Sequence, residues 1–166
     1  NLYIDIGAKD AKEAEKLCPL GSYAVFDTPY TEFGEDFVAA RALDDRVGCL
    51  NLLQILASDY AGDLCCAFVT QEEVGLRGSK GAAFHIQPDI AVILEGTAAN
   101  DLGDTRERFQ VCVPGQGVAV SFMDLASIAD RQLFQQMREV AREQGIPHQV
   151  KRSVTGGNDA GSFQQI

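Results

Sequence analysis

The sequence has no tryptophan, two methionines, two histidines and five prolines among 166 residues, and its 14 Lys and Arg are outnumbered by 24 Asp and Glu. The shortage of basic residues leaves a formal net charge of −10. Such a field repels phosphate backbones and excludes nucleic-acid binding as a main function. Long apolar runs are missing too. A membrane-spanning helix needs about 18 unbroken apolar residues, whereas stretches such as residues 64–69 and 90–94 are far shorter, so no membrane partner is expected. The five cysteines form an odd set without a C-x-x-C pair. Neither a secretory pattern nor an N-x-[ST] acceptor accompanies them, and the expectation is a reducing cytoplasm with thiols packed as small hydrophobes.

What is present is the composition of a folded globule, 46% apolar and 23% charged. Sixteen glycines predict many turns. Residues 2–6 alternate as a strand does, and residues 9–17 form a charged amphipathic helix ended by Pro19 and Gly21. Strands are expected over 23–27 and 36–41, around a Pro-Tyr-Thr-Glu-Phe-Gly turn. Over residues 45–60 the positions Val47, Leu50, Leu52, Leu53, Ile55 and Leu56 repeat near 3.6 and predict a helix. The continuous apolar runs 64–69 and 90–94 suit strands buried on both faces. A short helix near 76–84 lies between them, so the order predicts a βαβ unit. Further strands are expected over 109–113, 118–122 and 148–152. A long helix is expected over 128–144, with Asp124 or Ser127 near its start, and Gly156-Gly157 opens a turn into a last helix. The fold class is therefore α/β, a mixed and largely parallel sheet flanked by helices. The composition shifts near residue 40, which separates a β-rich stretch, 1–40, from an alternating α and β stretch, 41–166.

Several motifs fail on inspection. Gly115-Gln116-Gly117 begins like a dinucleotide fingerprint, but Val120 stands where the third glycine is needed, and Gly78-Ser79-Lys80-Gly81 has the residues of a phosphate loop in the wrong order. No G-x-S-x-G elbow exists. His85 and His148 belong to no metal-ligand spacing and read as structural or solvated. Cys65 and Cys66 lie in a predicted buried strand, where inert packing is the better reading.

What remains is a set of acids at strand ends, where open α/β sheets keep their chemistry. Asp44-Asp45 follows the strand near Arg41, Glu72-Glu73 follows 64–69, and Glu95 follows 90–94. Successive side chains on extended backbone point to opposite sides. One member of each pair can thus bind a cation while its neighbour orients a ligand or reaches a water. Gathering Asp44, Glu73 and Glu95 at one edge raises their pKa values unless divalent cations offset the repulsion. Against this stands the plainer possibility that 24 acids place some pairs on solvated faces by chance. Paired carboxylates also serve glycoside hydrolysis, and a non-catalytic assembly piece keeps the same fold.

The segments Ala42-Leu43-Asp44-Asp45-Arg46-Val47-Gly48, Thr70-Gln71-Glu72-Glu73-Val74-Gly75-Leu76-Arg77-Gly78 and Thr155-Gly156-Gly157-Asn158-Asp159-Ala160, in this order, resemble the glutamyl aminopeptidase family of dinuclear metallopeptidases, which includes tetrahedral, dodecameric aminopeptidases. The opening Leu2-Tyr3-Ile4-Asp5-Ile6-Gly7-Ala8 is similar to part of that family's inserted β-barrel domain. The resemblance implies that Asp44 bridges two metal ions, zinc or cobalt, that Glu73 and Glu95 each bind one of them, and that Glu72 is the general base. It implies an orienting or substrate-lining place for Asp45, Gly156 and Gly157. Short peptides are the implied substrates, and a homo-oligomer built from dimers, up to a dodecamer, the implied assembly. Where this chain has Glu95 the family usually carries Asp, and Asn158 stands where Thr is common. The family's two histidine ligands lie outside the matched segments. The chain is therefore expected to be an internal piece of a longer one: the second half of the inserted domain, then the central part of the catalytic domain, inactive by itself.

Overall fold

The computed structural model describes residues 2–166. It divides into two compact units, the first ending at Arg41 and the second running Ala42–Ile166.

The first unit contains helix α1 (Ala11–Leu17) and a hairpin of β1 (Thr31–Phe33) and β2 (Phe37–Ala39). Asp10 caps α1, its carboxylate accepting from the Glu13 N–H at 2.9 Å. The hairpin is antiparallel, pairs Glu32 with Val38, and stacks Phe33 on Phe37 at 5.8 Å. Residues 2–6 and 23–27, expected as strands, are not strands. Their side chains are mostly exposed, Leu2 by 92% and Tyr23 by 97%, so alternation alone supplied no second strand to complete a ladder.

The second unit is the larger and carries α2 (Leu43–Leu56), α3 (Arg77–Ile86), β3 (Val118–Val120), α4 (Arg131–Glu143), β4 (His148–Val150) and α5 (Ala160–Phe163). Strand β3 pairs with β4 in parallel, Ala119 opposite Gln149, and α4 makes the crossover between them. The architecture is thus mixed α/β with a parallel pair. Gly117 turns into β3 at φ +85°, so close to the Pro147 carbonyl that a Cβ there would collide with it. The Gln149 side chain bridges to the Val113 N–H and carbonyl, at 2.8 and 2.9 Å, and so ties residue 113 to the sheet.

Helix α4 starts at neither predicted cap. Asp130 caps it, accepting from the Leu133 N–H at 2.8 Å. Asp124 instead turns inward and accepts from the Ala126 and Ser127 N–H groups, each at 2.7 Å, forming a buried turn of its own. Phe122 meets Phe134 of α4 edge to face at 5.1 Å. The apolar runs 64–69 and 90–94 form no paired strands, and neither does 109–113, where residues Glu107–Phe109 make a 3-10 turn. Phe68 and Val92 are about half exposed. Cys65 is exposed and Cys66 half-buried, which corrects the expectation of inert buried thiols; of the five, Cys112 is buried. A run reads as a doubly covered strand only where neighbours cover both faces, and here the cover is partial, with Cys66, Ala67, Val69, Ile93 and Leu94 half-buried. No described helix is long and apolar enough to cross a membrane.

Candidate metal centre

Three segments of the second unit carry the acids singled out above. The first begins at Ala42, in the left-handed region at φ +58°, followed by Asp44 and Asp45 in non-helical conformations joined by a cis peptide. The regular part of α2 begins beyond them. Asp45 acts as its cap, accepting from the Gly48 N–H at 2.8 Å. Gly48 is glycine because a Cβ there would run into the Asp45 carboxylate.

The second segment is a closed loop ahead of α3. The Gly75 and Leu76 N–H groups donate to the Glu72 carbonyl at 3.0 and 2.9 Å, Arg77 N–H to Gln71, and Gly78 N–H to Thr70. Gln71 and Leu76 take positive φ, and Gly78 packs so tightly on the Thr70 backbone that it has no room for a side chain. This loop fixes Glu72, half-buried, and leaves Glu73 exposed. The third segment ends the 90–94 run at Glu95, whose carboxylate accepts from the Gly96 N–H at 2.8 Å. A Cβ on Gly96 would lie 2.8 Å from Asp44 Oδ1.

Asp44, Asp45 and Glu95 converge: one carboxylate oxygen from each lies within 4.8 Å of the others. The alternation argument put Asp44 and Asp45 on opposite sides; instead both approach Glu95, Asp45 departing from the extended conformation at φ −121°, ψ 57°. Glu73 is not a member of this group, and neither histidine joins it. His148 bonds the Ile146 carbonyl through Nδ1 at 3.0 Å, and His85 is exposed in the last turn of α3.

Like charges in one place have the expected electrostatic signature. Burial, a hydrogen bond with Asp44 and the charges of Asp44 and Asp45 push the Glu95 carboxyl up to about 7, although the Gly96 N–H opposes this. Burial and the neighbouring Asp44 also raise Asp45, against the Gly48 N–H. Glu72 is raised by burial and then by the charges of Asp159, Glu73, Asp44 and Asp45. Glu72 thus belongs electrostatically to the same site. A divalent cation suits this donor set, since hard carboxylate oxygens are its ligands and its charge offsets their repulsion.

Gly156 and Gly157 belong to the loop that precedes α5. Gly156 has φ +63°, and its carbonyl accepts from the Leu125 N–H at 2.8 Å. A Cβ on Gly157 would come within 2.9 Å of the Ala126 Cβ. Close packing on Ala126 thus requires glycine at 157, and the positive φ favours it at 156. Two participants escaped the sequence reading. Gly96 leaves space for Asp44, and its signal was its place directly after a strand-end acid. Asp159, buried at 6% exposure, was legible only as one letter of the Gly-Gly-Asn-Asp-Ala segment.

The second unit is thus mixed α/β, with a convergent carboxylate cluster between the start of α2 and the end of the 90–94 run. The chain belongs to the M42 glutamyl aminopeptidase family, which matches residues 1–166. A lysyl aminopeptidase from Pyrococcus furiosus is 29% identical over 168 residues, covering 99% of this chain and 47% of that protein. An aminopeptidase structure from the archaeon Desulfurococcus kamchatkensis superimposes with a TM-score of 0.84 at 29% identity, covering 95% of this chain and 46% of that one. The Pyrococcus horikoshii TET1 peptidase, described as assembling into a tetrahedron or a large octahedral shell, is similar with a TM-score of 0.76 at 30% identity, over 97% of this chain and 48% of that one. The chain spans about half the length of the curated relatives it matches. Nothing in these matches supports glycoside hydrolysis.

Proposed function

We propose that the protein containing this chain is a metal-dependent aminopeptidase that hydrolyses the N-terminal residue from short peptides. The observation that carries this reading is the convergence of Asp44, Asp45 and Glu95, with Glu72 in their field. Asp44, Glu95 and Glu73 would hold the cations, two ions of zinc or cobalt; Asp45 holds α2 in register and orients the cluster. Bound there, the cations would supply Lewis-acid polarisation of the scissile carbonyl and would lower the pKa of a water. Glu72 would take a proton from the attacking water and give it to the leaving amine, a role suited by its raised proton affinity. The rigid turn from Thr70 to Gly78 keeps its carboxylate in place.

The smaller unit is proposed as part of the inserted β-rich domain that serves dimer contacts, residues 1–40, and residues 41–166 as the central part of the catalytic domain. The assembly is proposed to be a homo-oligomer built from dimers, up to a dodecamer, in the cytoplasm. The shell-forming TET1 relative supports it. The test is Glu72→Gln in the intact protein. It should retain metal by elemental analysis while kcat falls at least about a hundredfold, the range expected for a lost general base; near-normal turnover overturns the assignment.

A further inference from the structure

The site contains one acid to which no motif assigned a role. Asp159 is 6% exposed, and its Oδ1 has no hydrogen-bond partner. A buried carboxylate oxygen left unpaired is costly, and a charged donor satisfies it best. The residue is held firmly. Ser162 and Phe163 N–H groups donate to the Asp159 carbonyl, and the fully buried hydroxyls of Ser79 and Ser162 bond at 2.9 Å, which locks α5 to the helix behind the Glu72 loop. Among the charges acting on Glu72, that of Asp159 is the largest, ahead of its chain neighbour Glu73. Gly156 and Gly157, three and two residues before it, are exposed and carry no side chains. No described cation pairs with it; the ion pair formed among the described residues is Arg152–Glu107.

We infer that Asp159 is a specificity-determining residue, whose buried carboxylate accepts the free ammonium group at the N-terminus of a peptide bound beside Glu72. This rests on the aminopeptidase reading and adds a residue that recognises the end of the substrate. An ammonium supplies both the donor and the positive charge that the carboxylate lacks, whereas a blocked amine or an internal peptide N–H supplies a neutral donor at most.

The experiment uses the intact protein, an aminoacyl anilide substrate, and two competitors: leucinol, which carries the ammonium, and 4-methylpentan-1-ol, which lacks it. Asp159→Asn should raise KM and the leucinol inhibition constant about tenfold or more, the loss expected for one charge-assisted bond. The rise in KM should exceed any fall in kcat, and inhibition by the plain alcohol and metal content should stay as in the wild type. An unchanged leucinol constant, or equal changes for both competitors, overturns the inference. If D159N fails to fold, D159E is read in the same way, since it keeps the charge but displaces it: the leucinol constant should shift and the alcohol constant should not. A wild-type protein that hydrolyses no peptide overturns the aminopeptidase reading itself, which separates the two failures.

Discussion

At the scale of single residues, the site depends on glycines as much as on acids. Gly96→Ala would place a Cβ 2.8 Å from Asp44 Oδ1 and push that carboxylate out of the cluster. We expect cation affinity, measured by calorimetry, to fall ten- to a hundredfold, as for other residues that position ligands. Proton linkage gives a second prediction. Glu95 is held at about 7 in the folded state, above the ordinary carboxylate range. The native state therefore binds this proton more tightly than the unfolded chain does. The stability it contributes is complete in mild acid, below the unfolded carboxylate pKa, and is lost as pH rises through 7. Metal-stripped intact protein should melt at a higher temperature at pH 5 than at pH 8, and a divalent cation should reduce or reverse the difference. Asp44, Asp45, Glu72 and Glu95 were singled out in the sequence by their places at or shortly after predicted strands and by the segments that contain the first three. The grouping of Asp45 rather than Glu73 with Asp44 and Glu95 was not, since it follows from backbone angles that no residue pattern encodes.

At the scale of elements, the five helices were readable from periodicity and caps, with ends displaced by a few residues. The strands were less so, because a strand exists only with its partner; the parallel β3–β4 pair formed and the apolar runs around α3 did not. Two hydroxyls join α3 to α5 at zero and 2% exposure. Ser79→Ala leaves the Ser162 hydroxyl buried without that partner and should cost about 1–3 kcal/mol in denaturant unfolding. The double variant with Ser162→Ala should cost less than the sum of the two single changes, as expected for directly coupled groups. Helix α4 offers a simpler check. Asp130→Ala removes its cap and should cost about 1 kcal/mol by the same measurement.

At the scale of the whole molecule, the balance of covered and uncovered apolar groups is unusual. Among the described residues Ala83, Val111, Cys112 and Ala141 are the buried hydrophobics, while Leu50, Leu53, Phe68 and Val92 are each about half exposed. Exposed apolar groups in such number promote association. The 166-residue chain expressed alone should bind a hydrophobic dye strongly and elute as aggregates in size-exclusion chromatography; a sharp monomer peak without dye binding would contradict this. The uncovered faces of residues 64–69 and 90–94 also bear on synthesis. A ribosome adding about 5–20 residues per second makes the 166 residues in roughly eight to thirty seconds, and during that interval these faces lie open to solvent. Chaperone occupancy on the nascent chain should therefore be highest there.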